Sequence, residues 1–128
     1  MAYQFTKTIE GDMNSVVDKV TSRLKDQGFG VLTDIDVKAT LKKKLDVDFR
    51  EYRILGACNP AFAYKALTAE PDIGTMLPCN VVLQEMEKGK IRVSAIDPVA
   101  SMMAVDNKSL RAIASEVRSK LENVVDSI

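Results

Sequence analysis

Cys58 and Cys79 are the residues of this chain best suited to chemistry. Each is followed by asparagine, in Gly56-Ala57-Cys58-Asn59-Pro60 and in Leu77-Pro78-Cys79-Asn80-Val81. A thiolate is both a nucleophile and a soft metal ligand. Asn59-Pro60 is a sharp helix start, because Asn caps well and Pro suits the first helical position. That places Cys58 beside unpaired backbone N–H groups and the positive end of a helix dipole, which favour a thiolate. Capping is expected to occupy Asn59, leaving Asn80 to donate to a nearby anion. Arg53, on the strand leading to Cys58, is a candidate to hold an anionic ligand or to favour the thiolate. Positions 53 and 58 differ in parity, however, so an ideal strand separates them unless Gly56 marks a bulge. Asp97 is a further ligand candidate, or simply a hydrogen-bond acceptor at the turn with Pro98. With the two cysteines, Met102 and Met103 would form a soft sulfur set for Cu(I) or haem iron.

Each of these residues also has a plainer role. Free cysteine packs as a small apolar side chain, and methionine fills irregular gaps in cores. No C-x-x-C spacing supports a metal site. A Cys58–Cys79 disulfide would need Cα atoms within roughly 7 Å.

What the chain lacks narrows the chemistry. It has no histidine, so Ser–His and Cys–His pairs, imidazole metal sites and the usual neutral-pH base are absent. Lysine plus arginine equals aspartate plus glutamate at 18 each, which argues against an electrostatic nucleic-acid binder. There is no tryptophan and aromatics are 5%, too few for a base-stacking platform. The lysine run Lys42–Lys44 is expected to be a solvated helix face. No glycine loop for phosphates or dinucleotides occurs. The apolar stretch Val93–Val105 is broken by Asp97 and Pro98, so no membrane span is expected. The start MAYQFTKTIE lacks a secretory pattern. With only two cysteines, a reducing cytoplasm is the expected location.

The elements that must position these residues are legible. The 128 residues fit one domain, 1–128, able to bury a core without staples. Tyr3–Ile9 alternates as a strand. Asp12 then caps a helix over about 13–27, with Met13, Val16, Val17, Val20 and Leu24 on one face and Gly28 at its end. Phe29–Val37 reads as a strand running into a short helix through Leu41 and Leu45. Residues 51–57 form a third strand, and Asn59-Pro60 opens a third helix that ends before Pro71. Residues 80–86 and 91–96 form a hairpin around Glu87-Lys88-Gly89-Lys90. Asp97-Pro98 ends the second of these strands, and 99–106 is a loop. Asn107 caps a long last helix whose stripe is Leu110, Ile113, Ala114, Val117, Leu121, Val124, Val125 and Ile128. The order β-α-β-(α)-β-(α)-β-β-α gives an α+β fold: a mainly antiparallel twisted sheet with the long first and last helices on one face. The other face needs a cover, either the short helices or a second subunit.

The string YRILGACNP (Tyr52–Pro60), then LPCNV (Leu77–Val81), then an Asp-Pro ending a strand and a Met-rich loop, resembles the family called domain of unknown function 302. Gly28–Leu45 also fits its pattern of a strand running into a short helix. The resemblance spans nearly the whole chain. It implies a small α+β domain of bacteria and archaea, often a dimer, with no established activity. Its pattern carries over onto Cys58, Asn59, Pro60, Pro78, Cys79, Asn80, Asp97 and Pro98.

Three functions are therefore expected. The first is a dimeric module that binds a small molecule or soft metal at the Cys-Asn motifs. The second is a thiol-redox enzyme or sulfur carrier with Cys58 as nucleophile and Cys79 in support. The third is a homodimeric interaction protein without chemistry. Lacking a base, the catalytic reading ranks below binding.

Overall fold

The structure, a computed structural model, describes residues 2–128. Five strands form one sheet: β1 (Gln4–Glu10), β2 (Gly30–Asp36), β3 (Tyr52–Cys58), β4 (Cys79–Glu87) and β5 (Lys90–Ile96). Their order is β1-β5-β4-β3-β2, and every neighbouring pair is antiparallel. Two long helices cover one face: α1 (Met13–Asp26) and α5 (Lys108–Ser127). Three shorter ones follow strands: α2 (Val37–Leu45), α3 (Pro60–Ala69) and α4 (Pro98–Ser101). The fold class expected from the sequence is the one observed.

Period-two alternation decides what each strand buries. Leu55, Ala57, Cys79, Val81, Leu83, Ile91, Val93 and Ala95 all project onto the helix-covered face. There they meet Met13, Val16, Val20 and Leu24 of α1 and Val117, Leu121, Val124 and Val125 of α5. The opposite, outer face carries Tyr52, Val82, Gln84, Arg92 and Ser94, none of which belongs to this core. A second apolar cluster forms beyond the sheet's edge from Ala66, Ile73, Met102, Leu110 and Ala114.

Local signals fix the ends of the long helices. Asp12 accepts a hydrogen bond from Ser15 N at 2.9 Å, and Asn107 accepts from Leu110 N at 3.2 Å. Gly28 closes α1 at φ +84°, a left-handed conformation that suits glycine. Two segments differ from expectation. Residues 71–76 form a 3-10 helix with Ile73 buried, where the sequence showed only a proline ending α3. Residues 98–101 form a turn of helix rather than loop, because Asp97 caps it just as a helix-starting Asx-Pro pair does.

Candidate functional site

The two thiols are brought together by strand pairing. Ala57 lies directly opposite Cys79 across β3 and β4, so Cys58 is one step away on the neighbouring strand. Both cysteines are free; Cys79 is buried and Cys58 half-buried. They stand in the wall of a cavity of about 300 Å³. The cavity lies between the two apolar clusters. Ala57, Phe62 and Val117 line it from one side, and Ala66, Met102 and Ala114 from the other. Small residues at facing positions on α3 and α5 (Ala63, Ala66 and Ala114) leave the space unfilled. Apart from the two cysteines, Asn59 is the one polar side chain in the wall among the described residues.

Burial pushes the Cys79 thiol up to about 11, and the neighbouring Cys58 adds to the rise. Low-dielectric surroundings disfavour the charged thiolate, and a second thiolate nearby would repel it. Cys79 is therefore a neutral thiol at pH 7.

The other candidates separate. Asn59 stands at the N-cap of α3 but makes no side-chain capping bond. Its Nδ2 donates instead to the Gln27 carbonyl at 3.4 Å, which ties the end of β3 to the end of α1, and the residue forms part of the cavity wall. Asn80 follows Cys79 in an extended strand, so its side chain emerges on the outer face, away from the thiols. That separation was readable from strand alternation alone. Arg53 is absent from the cavity wall. It forms a two-point ion pair with Asp34, its Nε donating to Oδ1 at 2.7 Å. The pair holds Asp34 below the usual carboxylate range and Arg53 above its own. The register shift in this part of the sheet lies on β2 between Val31 and Thr33, not at Gly56, and Leu32 there stands on the cavity rim.

Asp97 is 2% exposed and fully engaged. Its Oδ1 accepts from Val99 N at 2.9 Å and Ala100 N at 3.4 Å, and its Oδ2 accepts from Arg118 Nε at 3.0 Å. It is a helix cap and an ion-pair partner that anchors α4 to α5, and it is absent from the cavity wall. The methionines part as well: Met102 is buried in the wall, while Met103 is 69% exposed outside it. Among the described residues no group of three Cys, His, Asp or Glu side chains could hold a metal. The sulfur trio Cys58, Cys79 and Met102 is what survives of the soft-ligand set. Phe62, Leu67, Leu110 and Ala114 line the same space. In the sequence they are indistinguishable from ordinary helix-core positions.

No described helix is long and apolar enough to cross a membrane. No curated protein matches the chain. Among solved structures it is similar to an uncharacterised conserved DUF302 protein from Bacillus stearothermophilus, with 28% identity, a TM-score of 0.90 and 98% of each chain covered. The pattern of the family described as "Domain of unknown function DUF302" matches residues 5–128. On that extent of match, the chain belongs to the DUF302 family.

Proposed function

We propose that this protein binds a small, predominantly apolar molecule in the cavity between α3, α5 and the ends of β3 and β4, with Cys58 and Asn59 as its polar anchors. The observation that supports this is the wall itself. It is aliphatic and aromatic on nearly every side, with a few polar atoms converging at one end, the usual composition of a small-molecule site. An apolar cavity of about 150 Å³ takes up benzene, so about 300 Å³ has room for two fused rings. Indole is a suitable trial ligand. At ten times its Kd it should stabilise the fold by about 1.4 kcal/mol. Filling the space with Ala114→Phe, or with Ala63→Leu on the half-buried side, should abolish that gain. Melting curves unmoved by indole at millimolar concentration, or moved equally in both variants, would contradict the reading.

A soft-metal reading is favoured by one observation, that Met102 joins the two thiols in the wall. Cuprous ion would have to displace the proton of a thiol pushed to about 11, so its uptake should release protons and depend steeply on pH. Competition with a Cu(I) chelator, in wild type and Cys58→Ser, separates this reading from the first. The redox alternative loses support at Cys79, whose proton is held too tightly for an attacking thiol.

The expected homodimer belongs to the same proposal. Leu32 and Leu67 stand on the cavity rim at 68% and 45% exposed, and Tyr64 on α3 is 75% exposed. A second copy covering this rim would remove the apolar surface from water. Sedimentation should find a dimer at micromolar concentration that Leu32→Lys dissociates; a wild-type monomer throughout that range contradicts this part.

A further inference from the structure

Six arginines occur in the chain. Arg23, Arg53, Arg111 and Arg118 each meet a carboxylate. Arg50 and Arg92 do not, among the described residues, and both line one groove of about 450 Å³ on the outer face of the sheet. No aspartate or glutamate lines that groove. In a chain with equal numbers of acids and bases, this concentrates positive charge at one place.

One of the two charges is also held in position. Arg50 donates from Nε and Nη2 to Gln84 Oε1, at 3.1 and 2.8 Å. Its guanidinium lies 4.5 Å from the Phe49 ring centre and 5.5 Å from that of Tyr52. Arg92 is the cross-strand partner of Gln84. Directly opposed side chains start about 5 Å apart, so Arg92 springs from beside the glutamine that Arg50 bonds. Arg92 is half-buried and has no hydrogen-bond partner of its own among the described side chains. At the far end of the groove Gln4 Oε1 is buried with no hydrogen-bond partner among the described residues. A buried acceptor left unpaired is costly unless something donates to it. Val82, Met86 and Ile96 give the floor an apolar part.

We propose that this groove is a second ligand site, distinct from the thiol-lined cavity and on the opposite face of the sheet. It takes a small molecule with an oxyanion, a carboxylate or a phosphate, clamped between Arg50 and Arg92. The ligand's body lies on Val82, Met86 and Ile96, and a hydroxyl or amine on it donates to Gln4 Oε1. Guanidinium forks favour such planar or tetrahedral oxyanions, and a ring-stacked arginine loses little freedom on binding.

The test is titration of the whole chain with phenyl phosphate, benzoate and 4-hydroxybenzoate, followed by the Nε–Hε resonances of Arg50 and Arg92. Phenyl phosphate against benzoate tells phosphate from carboxylate, and 4-hydroxybenzoate against benzoate adds a hydroxyl donor at the end remote from the anion. At least one should bind, moving both arginine signals. Arg50→Gln and Arg92→Gln should each weaken binding at least tenfold, since a charge-assisted bond is lost. Arg111→Gln, on an exposed pair elsewhere, should leave it unchanged. All three anions leaving both arginine signals still, or Arg111→Gln weakening binding as much as Arg92→Gln, would overturn the proposal. The indole measurements read the other face and are unaffected by either outcome.

Discussion

Iodoacetamide at pH 8 should alkylate Cys58 and spare Cys79. With its thiol pushed to about 11, Cys79 holds roughly one thiolate in a thousand at that pH. An unhindered thiol near 8.5 to 9 holds at least about one in ten. Charge alone therefore slows Cys79 about 100-fold, and its 8% exposure slows it further. Mass spectrometry of the intact chain should show a single adduct, mapped to residue 58. Two adducts forming at similar rates would mean that Cys79 is neither buried nor neutral. The same shift links stability to pH. The folded chain keeps the Cys79 proton up to about 11, while the unfolded chain releases it near 9.0. The contribution is thus fully present below pH 9 and is lost as pH rises from 9 through 11. Wild type should lose about 3 kcal/mol more than Cys79→Ala across that window.

The second large effect is expected at Gly56. A Cβ there would overlap Thr33 Oγ1 and come within 2.7 Å of Pro78 Cγ. Thr33 is exposed and can rotate away, but Pro78 is fixed by its ring and by the strand that follows. Gly56→Ala should destabilise the fold by about 3 kcal/mol, at the upper end of overpacking costs, and lower Tm by about 10 °C. Adding Thr33→Ala should recover only part of that, because the proline contact persists. Full recovery would show that Pro78 yields and that this corner is looser than described. The corner matters for function, since Gly56 and Pro78 lie two and one residues before the two thiols.

The sequence carried the architecture because its strongest signals are periodic. The α5 stripe from Leu110 to Val125, the α1 stripe from Met13 to Leu24, and the glycine hairpin at 88–89 each required only local reading. The Cys-Asn repeat was legible as a landmark, and the sheet does join its thiols. At the second motif the sheet parts cysteine from asparagine, because adjacent residues of a strand face opposite ways. Cys79 therefore looks into the cavity and Asn80 looks out.

Asn59 looked like a capping side chain, yet its backbone alone takes that position while the amide turns to Gln27. Asp97-Pro98 ends β5 as the sequence indicates, and the same pair carries the helix-start signature that opens α4. The capping geometry there is complete: the carboxylate accepts from two backbone amides, the turn role the sequence offered, and from Arg118 as well. What no local pattern reports is empty space. The cavity exists because alanines 63 and 66 on α3 face alanine 114 on α5, residues brought together only by the packing of helices some fifty positions apart. The placing of Arg50 and Arg92 beside Gln84 is non-local in the same way.

The measurement that bears most directly on the central claim is a search for intermolecular NOEs between bound indole and the methyl groups of the protein. The claim is that the thiol-bearing ends of β3 and β4 open on a cavity fit for an apolar guest. It predicts contacts from indole protons to the Ala57, Ala66 and Ala114 methyls and to Met102 Cε, with none to the outer-face methyls of Val82 or Ile96. Contacts confined to the outer face, or no contacts while indole saturates the protein, would contradict it.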